Sequence, residues 1–387
     1  MNDIYMEIRD LPQVVEKQGE VGHLGFVFNL LKSVMGLGIL TISYEIAQSG
    51  WFLLFFLVIV SLMTGYNAIK LNEFVQDMNV PNRYISYFDI SRYVFGKKFE
   101  YLIKCVWFIE LFFICVLMLN MSVTFLEEML SVNHNIQIFF VMSFLYFFIS
   151  FIKSYEKIQY VSVVGLISIG LLMISLFVQL GINGKTNNAP SLNTSLINWK
   201  NLPKSIGVSL FSFGGHVIFP EIFDSTKFKE FNKFGIFISW VIITIITLSF
   251  AVLGYAIYGD KISDEIVENL RESKYLKILL LILLIINVLF TLPLIISPIT
   301  QKIQNKRKRF AFQFFLLLFI GLLCFFWTSF INTMALVGGF FENLTSLILP
   351  PIFVLKHRNL DFLEKIVNIF ILLFGVTVII FNIIALF

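Results

Sequence analysis

Eleven apolar segments, each about 20 residues long and separated by short polar stretches, constrain this 387-residue chain more than any other feature. They run over about 25–48, 51–74, 101–126, 136–153, 158–181, 203–220, 234–258, 275–298, 310–329, 332–355 and 364–387. A helix of about 20 apolar residues crosses the roughly 30 Å of bilayer hydrocarbon. No water reaches the backbone there, so every N–H and C=O must be paired within the segment, as a helix pairs them. Runs of Val, Ile and Phe that would suggest strands in water lose that meaning. The chain is 58% hydrophobic and 14% charged, whereas soluble domains carry about 25% charged residues. The pattern predicts an all-α membrane protein with 11 transmembrane helices. Cys105, Cys115 and Cys324 all lie inside apolar segments without a pairing pattern and read as apolar filler.

Loop charge sets the expected orientation. Seventeen lysines and arginines fall in one set of alternate loops, among them Arg83, Lys157, Lys229, the run Lys306–Arg309 and Arg358. Five fall in the other set: Lys185, Lys200, Lys261, Arg271 and Lys274. By the positive-inside rule the richer side is cytoplasmic. Residues 1–24 then form a cytoplasmic tail, and the C-terminus lies outside or in a lumen. The tail lacks the apolar core of a signal peptide, so the first segment is its own insertion signal. Asn193-Thr194-Ser195 is a glycosylation triplet in the longest non-cytoplasmic loop. The run 301–310 reads as a stop-transfer charge cluster, and the weakly amphipathic stretch 76–100 is expected on the cytoplasmic surface.

Two segments are interrupted. Segment one carries Lys32-Ser33-Val34-Met35-Gly36-Leu37-Gly38 in mid-span, and segment six carries Gly214, Gly215, His216 and Pro220. Broken spans at matching positions of two halves point to an inverted-repeat transporter. A break frees backbone polar groups, which is tolerable where they line a wet or liganded cavity. The half-helix beyond each break offers N–H donors and positive dipole to an anion such as a carboxylate. Close helix packing on glycine is the plainer explanation of any one such pair, and two pairs beside ionisable residues favour the cavity.

The motif F-N-L-x-K-S-x-x-G-x-G-I-L-x-x-x-Y (28–44) with G-W at 50–51 resembles the first span of the amino acid/auxin permease family. SIGVSLFSFGGHVIFPEIFDSTK (205–227) resembles that family's sixth span, above all in its vesicular and fungal vacuolar branches. LGYAIYGD (253–260), FTLPLIISPI (290–299) and ALVGGFFENLTSLILPPIFVLK (335–356) are similar to its seventh, eighth and tenth. The resemblance implies a five-plus-five inverted repeat of the bacterial leucine-transporter type plus one extra C-terminal helix. Repeat one would cover about 25–181, repeat two about 203–355 and the extra helix about 364–387, together a transporter domain over 25–387. It further implies movement of amino acids by alternating access. Ser43 departs from the proline of most branches, and Glu45 stands where a small residue is usual.

On this resemblance Gly36, Leu37 and Gly38 form the unwound stretch of helix one, and the amides of Gly38 and Ile39 hold the substrate α-carboxylate. Gly214 and Gly215 do the matching work on helix six, where the carbonyls of Phe211, Ser212 and Phe213 face the α-amino group and Phe213 can act as a lid. Lys32 stands where the sodium-coupled branch has an asparagine that holds Na⁺ with a helix-eight threonine, and Thr291 matches that threonine. The expectation is an ammonium in the sodium position and sodium independence, against a permanently paired structural lysine. A mid-span lysine costs about 3 kcal/mol unless it reaches an interface or a partner. His216, whose unperturbed imidazole titrates at about pH 6.5, is a second candidate for proton coupling. Glu110, deep in segment three, must be protonated or paired with a group from another helix, and it joins Lys32, Thr291 and His216 as an ion-coupling candidate. Glu45 and Glu342 read as gate, cavity or interfacial residues, and Asn29, Ser33 and Asn287 as candidate site lining.

No metal-ligand spacing relates His23, His134, His216 and His357, and no nucleophile elbow or phosphate loop occurs. An enzyme, a cofactor and a nucleic-acid partner are therefore not expected. The leading reading is a monomeric secondary transporter for amino acids, proton-coupled and sodium-independent, in a vacuolar, lysosomal or plasma membrane among its lipids. The alternatives are an amino-acid sensor of the same fold and a sodium-coupled neutral amino-acid transporter. A channel would need a continuous polar stripe, and the polar residues are isolated.

Overall fold

Each predicted apolar segment other than 136–153 falls on a helix. The structure, a computed structural model, describes residues 19, 21–78, 84–130, 140, 143–144, 155–186, 191–192, 195–269, 274–301, 303, 305–326 and 330–386. The segment 136–153, apart from residues 140, 143 and 144, lies outside them, as do Asn193 and most of the 1–24 tail. Among the described residues six helices are individually long and apolar enough to cross a membrane, or seven with one bent pair taken as a single span.

That pair is α1 (His23–Val34) and α2 (Gly38–Ser49), which meet at 43°. α3 (Phe52–Asp77) follows a corner at Gly50, whose φ of 92° is open to glycine and strained for other residues. A Cβ there would sit 2.8 Å from the Ser195 carbonyl oxygen, so the corner also needs the missing side chain. α4 (Tyr87–Phe95) departs from the expectation for 76–100. A capping box of Ser86 and Asp89 starts it. Tyr87, Phe88 and Ile90 are buried, and the Tyr87 hydroxyl donates to the Thr345 carbonyl at 2.6 Å. The helix is anchored in the protein rather than laid on its surface.

α5 (Lys97–Leu130) and α6 (Tyr155–Thr186) are long spans. Segment six divides into α7 (Leu202–Phe211) and α8 (Phe219–Asp224), with Pro220 in the first turn of α8, where its missing N–H is harmless. α9 (Asn232–Tyr258), α10 (Lys274–Gln301) and α11 (Lys306–Phe326) follow. Segment ten is α12 (Phe330–Leu336), two π-helical stretches (Val337–Glu342 and Leu344–Ile348) and α13 (Leu349–His357); α14 (Phe362–Leu386) completes the described chain.

The broken helices sit inside. α1 packs on α6 and α9, α2 on α7 and α9, and α7 on the first π-helical stretch, while α10 packs on α5 and α6. Large apolar side chains such as Phe55, Leu62, Phe315 and Phe370 stay exposed on the outer helices. In a membrane protein lipid covers that surface.

Candidate functional site

The first break is a turn rather than a gap. Met35, at φ −75° and ψ 71°, has inverse γ-turn geometry, and the Gly36 N–H bonds back to the Val34 carbonyl at 2.8 Å. α2 restarts at Gly38 with no side-chain cap. Its first turn, at Gly38 and Ile39, therefore points backbone amides at the break without helical acceptors. The two glycines differ. A Cβ on Gly36 would meet nothing closer than 4.0 Å, whereas one on Gly38 would overlap the side chain and Cα of Ser212. Gly38 is thus where the two interrupted segments touch.

The second break runs from Ser212 to Ile218. The Phe213 N–H bonds to the Leu210 carbonyl at 3.1 Å, and the Gly214 N–H to that of Phe211 at 3.2 Å. Gly215 then takes φ 106°, and its Cβ position lies 3.1 Å from the Ser33 carbonyl oxygen at the end of α1. Phe213 is fully buried. His216 is also buried, between the rings of Phe219 and Trp240 with centroids at 4.6 and 5.8 Å. Its Nε2 lies 2.9 Å from the Thr64 carbonyl oxygen, so that nitrogen carries the proton and donates.

Lys32 is only 2% exposed, which rules out snorkelling to the interface. Its Nζ donates to the Asn287 carbonyl at 2.8 Å, and the Thr291 hydroxyl donates to the same carbonyl at 2.8 Å. Gly165 of α6 leaves the necessary room, since a Cβ there would stand 2.8 Å from the ammonium. A small cavity adjoins this cluster, lined by Lys32, Gly36, Leu37, Asn287 and Thr291 among others. Its water-sized space, about 10 Å³, is at the lower limit for one water molecule.

A carboxyl pair stands on the other side of the second break. Glu342, on the first π-helical stretch, accepts the Gly215 N–H through Oε1. Glu110 reaches the same place, its Oε1 accepting the Thr345 hydroxyl at 3.1 Å, and the second carboxyl oxygens of Glu110 and Glu342 are both buried without a hydrogen-bond partner. Gly214 has no Cβ because the Glu342 side chain occupies that position.

The predicted residues thus separate into three groups. Lys32, Thr291, Gly36 and Leu37 meet at the small cavity; Gly38 and Ser212 meet at the crossing of the breaks; Gly214, Gly215 and Glu110 meet around Glu342. Ile39 is buried in the core, Phe211 is partly buried, and His216 is turned away from Lys32 toward α3 and α9. Glu45 binds Ser205 at 2.5 Å. Sequence reasoning did not assign Gly165, Tyr87 or Thr345 any part. Glu342 had one visible signal, an acid in mid-segment, but nothing local connected it to Glu110.

A model of the family described as transmembrane amino acid transporter protein matches residues 22–387. From Arabidopsis thaliana, amino acid transporter AVT1E is 27% identical over 87% of this chain and 67% of its own length. AVT1J is 26% identical over 97% and 94%, and AVT1I 25% identical over 85% and 84%. Among solved structures, MhsT in complex with L-phenylalanine superposes with a TM-score of 0.65 at 13% identity, covering 96% of this chain and all of that one. Mhp1, a nucleobase-cation-symport-1 family transporter, gives 0.64 at 10% identity, covering 95% and 92%. These two share this chain's fold. With the match spanning nearly its whole length, the chain belongs to the transmembrane amino acid transporter protein family, as the motifs of segments one and six imply.

Proposed function

We propose that this protein is a proton-coupled, sodium-independent amino acid transporter that works by alternating access. Its 11 spans form two five-helix repeats, over about 25–181 and 203–355, with α14 as the extra helix and the N-terminus in the cytoplasm. The substrate α-carboxylate binds the amides of Gly38 and Ile39, and the α-amino group faces the carbonyls of Phe211 to Phe213. The observation that carries the reading is the meeting of the two breaks at Gly38 and Ser212, beside a lysine ammonium on the same carbonyl as Thr291. A fixed ammonium there supplies the positive charge that Na⁺ would supply, so no sodium is needed. Contacts on both faces of the site support alternating access. On one face Val21 pairs with Ser225 and Lys227 at 3.1 and 3.0 Å; on the other, Asn198 donates to the Ser49 carbonyl at 2.8 Å. Either set must open for substrate to pass. The membrane is that of an acidic compartment, where a proton gradient is available.

The test is uptake of a labelled amino-acid mixture into proteoliposomes of the purified protein, in sodium-free buffer, with and without an inward proton gradient. Uptake without sodium that rises with the gradient supports the reading. Uptake only after sodium is added refutes it, and saturable binding without flux indicates a sensor.

A further inference from the structure

Two carboxyl groups in contact inside a membrane protein need a reason. Glu110 and Glu342 are 0% and 1% exposed. Two ionised carboxylates at hydrogen-bond distance repel, and each loses several kcal/mol of hydration on burial. Each buries its Oε2 without a hydrogen-bond partner, and one proton shared between the two satisfies both, as in other buried carboxyl dyads. The remaining single negative charge is met by a backbone donor in the second break, the N–H of Gly215. The groups facing the pair are Tyr87 from α4, whose hydroxyl is engaged by the Thr345 carbonyl, and the Thr345 hydroxyl. The imidazole of His216 points to Thr64 instead. Among the described residues no lysine or arginine ion-pairs with either carboxyl.

From this geometry we infer that the Glu110–Glu342 pair carries the coupling proton, and that its loading holds the break of segment six in the conformation described above. The inference deepens the proton-coupled reading and rests on it. Release breaks one O–H bond and passes the proton to water, leaving two carboxylates and no other bond changed. Their repulsion then drives Glu342 away from Glu110. Glu342 is the side chain that clamps Gly215, the residue with φ 106°, so its movement frees the turn on which Phe211 to Phe213 stand. Glu342 itself sits on a π-helical turn, a distortion found mostly at functional sites and able to shift by local rewinding. Proton occupancy and the shape of the substrate site are thereby linked through one hydrogen bond.

Glu110→Gln tests this, because its amide N–H stands where the shared proton lies and keeps the pair permanently loaded. Proteoliposomes of wild type and variant are compared in two assays with the same labelled amino-acid mixture: uptake driven by a pH gradient, and exchange of labelled for unlabelled substrate at equal pH. For each coupled proton a gradient of one pH unit supports about a tenfold accumulation. The expected result is that E110Q loses this accumulation and still exchanges substrate, at a reduced rate. Glu342→Gln gives the same comparison from the other partner should E110Q not fold. Gradient-driven accumulation retained by E110Q, or by E342Q, overturns the assignment while proton coupling stands. Wild type that shows no gradient-driven uptake overturns proton coupling itself, and with it carriage by this pair. Independently of transport, the infrared C=O band of a protonated carboxyl should be present in wild type at neutral pH and weaker in E110Q; its absence from wild type overturns the shared proton.

Discussion

Replacing Lys32 with methionine keeps most of the side-chain volume and removes the charge. The variant loses the hydrogen bond from Nζ to the Asn287 carbonyl at 2.8 Å, a bond to a charged group worth about 1.5–3 kcal/mol. The carbonyl is not orphaned, because the Thr291 hydroxyl still donates to it at 2.8 Å. Against that loss stands the cost of keeping a lysine in mid-membrane, about 3 kcal/mol on insertion scales. Buried ionic groups replaced by apolar ones of similar size often give neutral or stabilised proteins. The two figures leave Lys32→Met between about 0 and about 1.5 kcal/mol more stable than wild type. Its melting temperature, followed by tryptophan fluorescence in detergent, should be unchanged or higher. Uptake in proteoliposomes should be lost, because no cation remains in the cluster. A variant destabilised by more than about 2 kcal/mol, with uptake reduced only in step with the folded fraction, would show a structural lysine and refute the reasoning.

Two further substitutions address the second break and the loop between α9 and α10. Gly215→Ala places a side chain at φ 106°, a strain of about 1–3 kcal/mol, with its Cβ 3.1 Å from the Ser33 carbonyl oxygen and from Phe219. It should melt lower and transport poorly; wild-type behaviour in both assays would show that the turn does not need glycine. Glu265 is buried in its loop, and burial, followed by Glu268, Asp264 and Glu128, raises its carboxyl well above the ordinary range. The folded state then holds a proton that the unfolded state releases, so stability present in acid is lost as pH rises above the ordinary carboxylate range. Glu265→Gln should therefore melt higher than wild type at about pH 8 and similarly at about pH 4, and equal melting temperatures at both would refute the shift.

The family, the helical nature of the apolar segments and the places of the two interruptions can be read along the chain. Each depends on neighbours a few residues apart: a run long enough to cross hydrocarbon, or Gly36–Gly38 and Gly214–Gly215 where helix gives way. Only the tertiary structure supplies what those places face. Lys32 and Asn287 are 255 residues apart, and Glu110 and Thr345 are 235 apart. The same holds for α4, where amphipathic character suggested a surface helix but the Tyr87 hydroxyl finds the Thr345 carbonyl 258 residues away. Hydropathy places a segment in the membrane because transfer from water depends on its own surface. Partners of a buried charge are decided by which helices pack together, and in this chain two acids from different segments share one hydrogen-bonded site at a break made by a third.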